Sequence, residues 1–327
     1  MQESQAGAVV VLENGSVPSR YEAPASILAA GGAAQYAWEE FFIGKLANPH
    51  TRTAYLRAVR RFFVWIAGNS LELPRLTPGM VGRYFDEMPG SIPSKKLHLA
   101  AIRAFFDVLV QRHVLVLNPA LSVRTERYAA TEGRTPEITV EQSRALLASI
   151  DLEAVFGFRD RAVIAVLIYT AARAGAVAKL RLKDFTQDGS QFVLRFMEKG
   201  GKARSIPVRH DLEEFLRSYL RSSGVESDSL DSPLFRTMAG RNGVTSKWPM
   251  SGVDVCRMVK RRLKAAGLPL GISPHSFRAC AATDLLLQGI PLDDVQYLLG
   301  HADARTTRLY DRRQRQVTRN IVERISV

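Results

Sequence analysis

The sequence predicts a mainly α protein with a small β-sheet, an α+β chain in two domains. Three observations carry that reading. Apolar residues recur at helical spacing, most clearly Tyr55, Val59, Phe62, Phe63 and Ile66. Asn48-Pro49 and Thr77-Pro78 each set a capping side chain before a proline suited to the first helical position. Gln191 to Met197 and Ala203 to Val208 are short runs of strand character, separated by a turn.

Taken in order, residues 1–34 are rich in Gly, Ala, Ser and Pro and read as a mobile or extended tail. Residues 35–127 read as helical throughout. The helix after Asn48 carries Arg52, Arg57, Arg60 and Arg61 off its apolar face, either as a solvated surface or as contacts to a polyanion. A shorter helix follows from Thr77 to Met88. Another, Ser94 to Arg112, points Leu99, Ile102, Phe106, Leu109 and Val110 inward. Asn118-Pro119 breaks the pattern, and residues 128–136 form the linker.

The second domain, 137–327, opens on the capping-box pattern Thr139-Val140-Glu141-Gln142. Phe158 to Ala171 is a strongly apolar helix running into Arg173. An arginine there is expected to be partly buried beside an anionic partner. The turn Glu198-Lys199-Gly200-Gly201-Lys202 between the two strands is either a solvated hairpin tip or a lysine-bearing loop. Helices follow over Asp211 to Leu220 and Gly252 to Ala266. The latter has a basic face of Arg257, Lys260, Arg261, Arg262 and Lys264, suited to DNA phosphates or to solvent. In the stretch Ser273 to Arg312, His275 and Arg278 are three apart and share a helix face. Asp293 to Leu299 is a short helix stopped by Gly300, with Tyr297 expected in its packed face. His301 opens the next loop, and Arg308 and Tyr310 follow. Residues 312–327 read as a basic amphipathic helix that packs on its own domain or on a neighbour.

Composition limits the function classes. A chain of 327 residues with 46% hydrophobic content can bury a sizeable core. Lys plus Arg outnumber Asp plus Glu by 45 to 32, a net charge of +13 that divides as +4 in residues 1–127 and +9 in 128–327. Such a surface favours a polyanionic partner. Two cysteines without metal-ligand spacing argue against a disulfide framework or a zinc site, and fit a reducing cytoplasm. The longest apolar run near the N-terminus, Ala8 to Leu12, is far too short for a signal peptide or a membrane span, so the expected location is cytoplasmic and away from membranes. No carboxylate cluster accompanies the His, Arg and Tyr motifs, which disfavours a two-metal nuclease site. A Gly-rich phosphate loop ending in Gly-Lys-Ser/Thr is also missing. The expected cofactor set is none.

In chain order the chemistry-bearing candidates are Arg173, Lys199, His275, Arg278, His301 and Tyr310. They stand in YTAARAGAVAKLRLKDF, EKGGKARSIPV, SPHSFR and LGHADARTTRLY. This ordered set resembles the tyrosine recombinases, the phage-integrase family. The resemblance covers residues 137–311 and, more weakly, the helical domain at 35–127, which is similar to the family's core-binding domain. It implies a catalytic domain that closes with the helical one as a clamp on double-stranded DNA. It also implies strand cleavage and rejoining at specific sites without metal or ATP, by a dimer on each site and a tetramer on two, within the nucleoid and with a second recombinase or accessory protein as possible partners. Tyr310 would be the nucleophile that leaves a 3′-phosphotyrosine. Arg173 and Arg278 would clamp the scissile phosphate, and His301 would hydrogen-bond it. His275 would assist proton transfer at Tyr310, and Lys199 would protonate the departing 5′-oxygen. Arg52, Arg57, Arg60, Arg61, Lys202, Lys260 and Arg261 would meet DNA elsewhere.

Elementary chemistry asks for these residue types. Phosphoryl transfer spreads negative charge over the equatorial oxygens, and paired arginines offer planar, permanently charged donors to them. A phenol with an ordinary pKa near 10 needs a base or a cationic neighbourhood to attack at neutral pH. The chain departs from the family pattern on both sides of Arg173. Gly175 and Ala176 follow Arg173 where a small residue and a Glu are usual, and Ala171 stands where Gly is usual. Either the missing carboxylate loosens the packing around Arg173 or Asp184 carries part of its supporting role. Three other readings stay open: a type IB topoisomerase-like strand-relaxing enzyme, a DNA-binding architectural or regulatory protein with impaired catalysis, and a basic structural protein that meets no DNA.

Overall fold

Aromatic side chains build the N-terminal part of the chain. In the computed structural model, which describes residues 21–127, 135–136, 138–197, 203–240, 244–301, 303–308 and 310, the chain divides into two units, Met1–Ala129 and Ala130–Val327. The first unit contains α1 (Ala25–Ala29), α2 (Gly32–Glu39), a π-helical turn (Glu40–Lys45), α3 (Pro49–Gly68), α4 (Pro78–Glu87) and α5 (Ile92–Gln111). Trp38, Phe41, Phe42, Phe62, Phe63, Phe105 and Phe106 are all buried. Their rings meet at tilted and edge-on angles, with Trp38 to Phe42 at 4.5 Å and Trp38 to Phe105 at 5.5 Å between centroids. Burial of each such ring contributes roughly 1.5–3 kcal/mol, which makes this cluster the main source of the unit's stability.

The expected caps form. The Asn48 side chain accepts from the His50 and Thr51 N–H groups at 2.9 and 3.3 Å, and Thr77 Oγ1 accepts from the Met80 N–H. The expected tail is corrected over residues 21–34, which are folded. Ile27 is fully buried, Ala34 is fully buried, and Trp38 Nε1 donates to the Tyr21 carbonyl at 2.6 Å. A five-residue helix with one apolar anchor is too short to show a period, so nothing in the pattern marked it. Residues 1–20 lie outside the described residues, as do 128–134 of the expected linker and residue 137 at the start of the second domain.

The second unit is arranged around a helix with no polar face. In α7 (Val155–Thr170) every residue from Ala162 to Leu167 is fully buried. A helix apolar all round must be covered on all sides. Here the cover includes α6 (Val140–Ala148), α9 (His210–Ser223), α10 (Gly252–Ala265) and α11 (Pro274–Leu287). Thr139 and Gln142 form the anticipated capping box of α6, and Ser251 and Asp254 form another on α10. One carboxylate sits inside this packing. Asp160 on α7 is fully buried, and its Oδ1 accepts from Arg159 Nη2 at 2.7 Å. Its Oδ2 accepts from Arg262 Nε at 2.8 Å and Arg261 Nη2 at 3.0 Å, both from α10. A buried carboxylate is tolerable only with such compensation.

Three antiparallel strands lie in the order β1 (Phe185–Asp188), β2 (Gln191–Met197), β3 (Ala203–Pro207), with Phe185 opposite Leu194 and Leu194 opposite Ile206. The sequence reading found β2 and β3 but not β1, although Asp188-Gly189, with Gly189 at φ +59°, is a recognisable hairpin turn. It also missed the two-stranded sheet of β4 (Arg236–Ala239) and β5 (Val244–Pro249). That pair is short, irregular between Arg236 and Met238, and mostly exposed along β5, so it has no alternating burial to read. The short α8 (Ala174–Val177) follows α7, and the unit also contains α12 (Leu292–Leu299), closed by Gly300 in the left-handed region at φ +61°, and α13 (Ala304–Arg308). Residues 312–327 lie outside the described residues. Among the described residues no helix is long and apolar enough to cross a membrane.

Candidate active site

Four of the six predicted residues converge where the end of α7, the start of α11 and the loop after α12 meet. Pro274 starts α11, which puts His275 in its first turn and Arg278 one turn on. A small cluster of Ala171, Ala279, Ala282, Leu286, Val295, Leu299 and Tyr310 packs beneath them. Tyr310 is thus held in an apolar seat, only 5% exposed. Its backbone is fixed too, because Thr283 Oγ1 donates to its carbonyl at 3.2 Å and its N–H donates to Thr307 O at 3.0 Å.

The phenol faces two imidazoles. Tyr310 Oη lies 3.1 Å from His275 Nε2, and the His301 ring stacks on the Tyr310 ring at 5.9 Å and 12°. Arg278 is almost wholly buried. Its Nη1 donates to Ala171 O at 2.7 Å and its Nη2 donates to Leu299 O, while its Nε–H has no partner among the described residues. Ala171 reaches that position by adopting φ +50°, a left-handed conformation that ends α7 and turns its carbonyl toward the guanidinium. For a residue with a Cβ this costs roughly 1 kcal/mol.

The electrostatics are those of a site that favours an anion. Burial, then Arg278, then Arg173 hold the His275 imidazole below its ordinary value. His301 is pushed down to about 4 by burial, then by Arg278, Arg173, His275 and Arg204. Arg278 itself is lowered to about 10 by burial and by Arg173, with Tyr310 acting in the opposite direction, and it stays charged at neutral pH. A bound phosphate would relieve all three shifts at once.

These values have a consequence for folding. The folded pKa of His301, about 4, lies below the ordinary imidazole value of 6.5, so the unfolded chain is protonated first as pH falls. This ring therefore leaves stability unchanged above pH 6.5 and lowers it progressively between pH 6.5 and 4. Allowing for solvent screening of a half-buried ring, the loss is about 2 kcal/mol. Urea titrations across that window are expected to show a flatter stability profile for His301→Gln than for the parent.

Several expectations change. Arg173, expected to be partly buried, is exposed at the start of α8, and the buried arginine of the pair is Arg278. Asp184 does not take over the missing carboxylate, since its Oδ2 accepts from the Arg181 N–H of its own turn at 2.8 Å. Gly175 instead lies where a Cβ on Gly252 would approach its Cα to 3.2 Å, so α8 and the start of α10 touch through their main chains. Tyr297 is 73% exposed and not in the core, because α12 buries Val295 and Leu299 and turns position 297 away from them. Lys199 and Lys202 lie outside the described residues. Arg308 is exposed.

The outlying basic residues are partly taken up by the fold. Arg52 donates through Nε and Nη2 to Leu46 O, a carbonyl at the end of a helical turn, at 2.9 and 2.6 Å. Arg60 donates to Glu22 O, Lys260 Nζ donates to Leu270 O, and Arg261 pairs with Asp160. Arg57 and Arg61 stay exposed on α3.

Sequence reasoning missed Arg204 and Thr307. Arg204 is buried on β3, and its Nη1 donates to Leu298 O beside the site. It shares the inward face of its strand with Ile206, and a charge on a buried strand face was the available signal.

This geometry is matched by kinship. Residues 136–316 match the phage integrase family, and residues 37–113 match the phage integrase N-terminal SAM-like domain. The tyrosine recombinase XerC of Pelobacter propionicus is 30% identical over 269 residues, covering 80% of this chain and 84% of that protein. The tyrosine recombinase XerD of Ralstonia nicotianae is 28% identical over 283 residues, covering 83% and 86%. In fold, the chain is similar to the XerH site-specific recombinase in a post-cleavage complex with palindromic difH substrate, with a TM-score of 0.66 at 19% identity, covering 89% of this chain and 86% of that one. It is also similar to a lambda integrase dimer bound to a COC′ core site, with a TM-score of 0.63 at 19% identity, covering 87% and 96%. A family match over more than half of the chain, and a relative aligned over most of its own length, lead to one conclusion: the chain belongs to the phage integrase family.

Proposed function

We propose that this tyrosine recombinase cleaves and rejoins DNA at specific sites through a covalent link between Tyr310 and the 3′-phosphate. The observation that carries this reading is the Tyr310 Oη placed 3.1 Å from His275 Nε2 in a pocket of cationic side chains. The phenol attacks phosphorus, its proton passes to His275, and the bond from phosphorus to the 5′-oxygen breaks. Arg173, Arg278 and His301 hold the phosphate oxygens as charge builds on them. Lys199 gives its proton to the departing 5′-oxygen, which leaves as the hydroxyl. The phosphotyrosine keeps the bond energy, so a 5′-hydroxyl from another strand can reverse the step without ATP. The helical unit grips the duplex with the exposed Arg57 and Arg61. A dimer occupies each site and a tetramer joins two, in the cytoplasm at the nucleoid. An assembled nucleophile and base weigh against a purely architectural role.

The test is a covalent trap. Duplexes from the DNA flanking the gene, nicked just beyond the cleavage point so that the short piece bearing the 5′-hydroxyl diffuses away, are incubated in EDTA without ATP. A protease-sensitive band that survives denaturation is expected with the parent and is expected to vanish with Tyr310→Phe. Persistence of the band in that variant would remove Tyr310 as nucleophile.

A further inference from the structure

The His301 ring has two nitrogens, and the structure commits one of them internally. Nδ1 lies 2.9 Å from Thr307 Oγ1. Thr307 is fully buried, and among the described residues this ring is the hydrogen-bond partner of its hydroxyl. The histidine backbone is pinned as well. Its N–H donates to Gln296 O at 3.2 Å, and its carbonyl accepts from Gln296 Nε2 at 3.0 Å. Thr307 also accepts the Tyr310 N–H through its carbonyl, so one buried residue fixes both the imidazole and the nucleophile's backbone.

A neutral imidazole carries one proton, and the partner of one nitrogen decides which nitrogen holds it. Burial and the surrounding guanidinium groups keep His301 neutral at physiological pH. If Nδ1 held the proton, Nε2 would turn a lone pair toward the phosphate oxygens and repel them. A donor to Nδ1 fixes the proton on Nε2, and Thr307 supplies a hydroxyl that can donate.

We propose that Thr307 is a positioning residue whose buried hydroxyl donates to His301 Nδ1, holds the ring as the Nε2–H tautomer and so aims a donor at the scissile phosphate. The proposal rests on the reading of the site as one for phosphoryl transfer. Serine keeps the hydroxyl. Valine keeps the shape and removes the donor.

The test uses the full chain labelled with ¹⁵N-histidine, without DNA, near neutral pH. Two-bond ¹H–¹⁵N spectra of the parent and of Thr307→Ser are expected to show His301 protonated on Nε2, whereas Thr307→Val shifts it toward Nδ1. On a nicked duplex that the parent cleaves, Thr307→Val is expected to slow covalent-complex formation at saturating DNA by about 100-fold, with duplex affinity unchanged and Thr307→Ser close to the parent. An Nδ1–H tautomer in the parent overturns the proposal, as does a Thr307→Val protein with the parent's tautomer and rate. If Thr307→Val does not fold, the parent and Thr307→Ser spectra decide alone. Failure of the Tyr310 trap would remove the recombinase mechanism but leave the tautomer readable, so the two outcomes are distinguishable.

Discussion

Arg278→Lys is expected to slow covalent-complex formation by about 10²–10³-fold while leaving a folded protein. The guanidinium is nearly inaccessible and spends two N–H groups on Ala171 O and Leu299 O, which leaves Nε–H and the remaining terminal hydrogens for a phosphate. A lysine ammonium can reach one carbonyl or one phosphate oxygen, but it cannot span them as a planar fork does. Two opposing effects set the stability change. An unpaired buried carbonyl costs about 1–3 kcal/mol. Against this, the site already disfavours a cation, as the fall of Arg278 to about 10 records. That fall corresponds to roughly 3 kcal/mol of strain in the free protein. A lysine, unlike an arginine, can shed part of that penalty by releasing its proton when buried, so the substitution relieves part of what it disrupts. Single-turnover cleavage on a nicked duplex, read beside urea denaturation, separates the two. A large loss of stability with cleavage intact per folded molecule would mean that Arg278 is structural.

Asp160→Ala is expected to have the opposite profile, costing about 3–5 kcal/mol of stability. Its carboxylate is fully buried and compensates Arg159 and Arg262, whose side chains are only 6% and 13% exposed. Without it those two charges remain in the interior. Arg261, 61% exposed, can turn to solvent at little cost. In a unit of this size the loss lowers Tm by roughly 10 °C. Adding Arg262→Leu to Asp160→Ala is expected to recover part of it, because one stranded charge is removed. Equal stability of parent and Asp160→Ala in urea would show that the cluster contributes nothing net.

Legibility in the sequence followed the kind of constraint involved. Caps are written locally, so Asn48-Pro49, Thr77-Pro78 and the Thr139 box could be read from a few adjacent residues. The set from Arg173 to Tyr310 could be read because its motifs stand in the order and spacing of one family, with Lys199, His275 and His301 each beside Gly or Pro. What escaped reading was set at a distance. Residues 21–34 fold because Trp38 and the aromatic core receive them, which five-residue segments cannot announce. The exposure of Tyr297 depends on which face of α12 the Ala171 cluster takes. Arg204 and Thr307 join the site only through tertiary contacts to Leu298 and His301.

The grip on Arg278 is made by main-chain carbonyls, and this makes it insensitive to side-chain change. Any residue at position 171 or 299 that preserves the local backbone offers the same acceptor. Replacing Ala171 by glycine trades the left-handed strain for one lost buried methyl, and both are worth roughly 1 kcal/mol. Evolutionary drift between the two residues is close to neutral, and the arginine's anchor survives it. A device built this way leaves little trace in residue conservation, since what selection preserves there is the path of the chain.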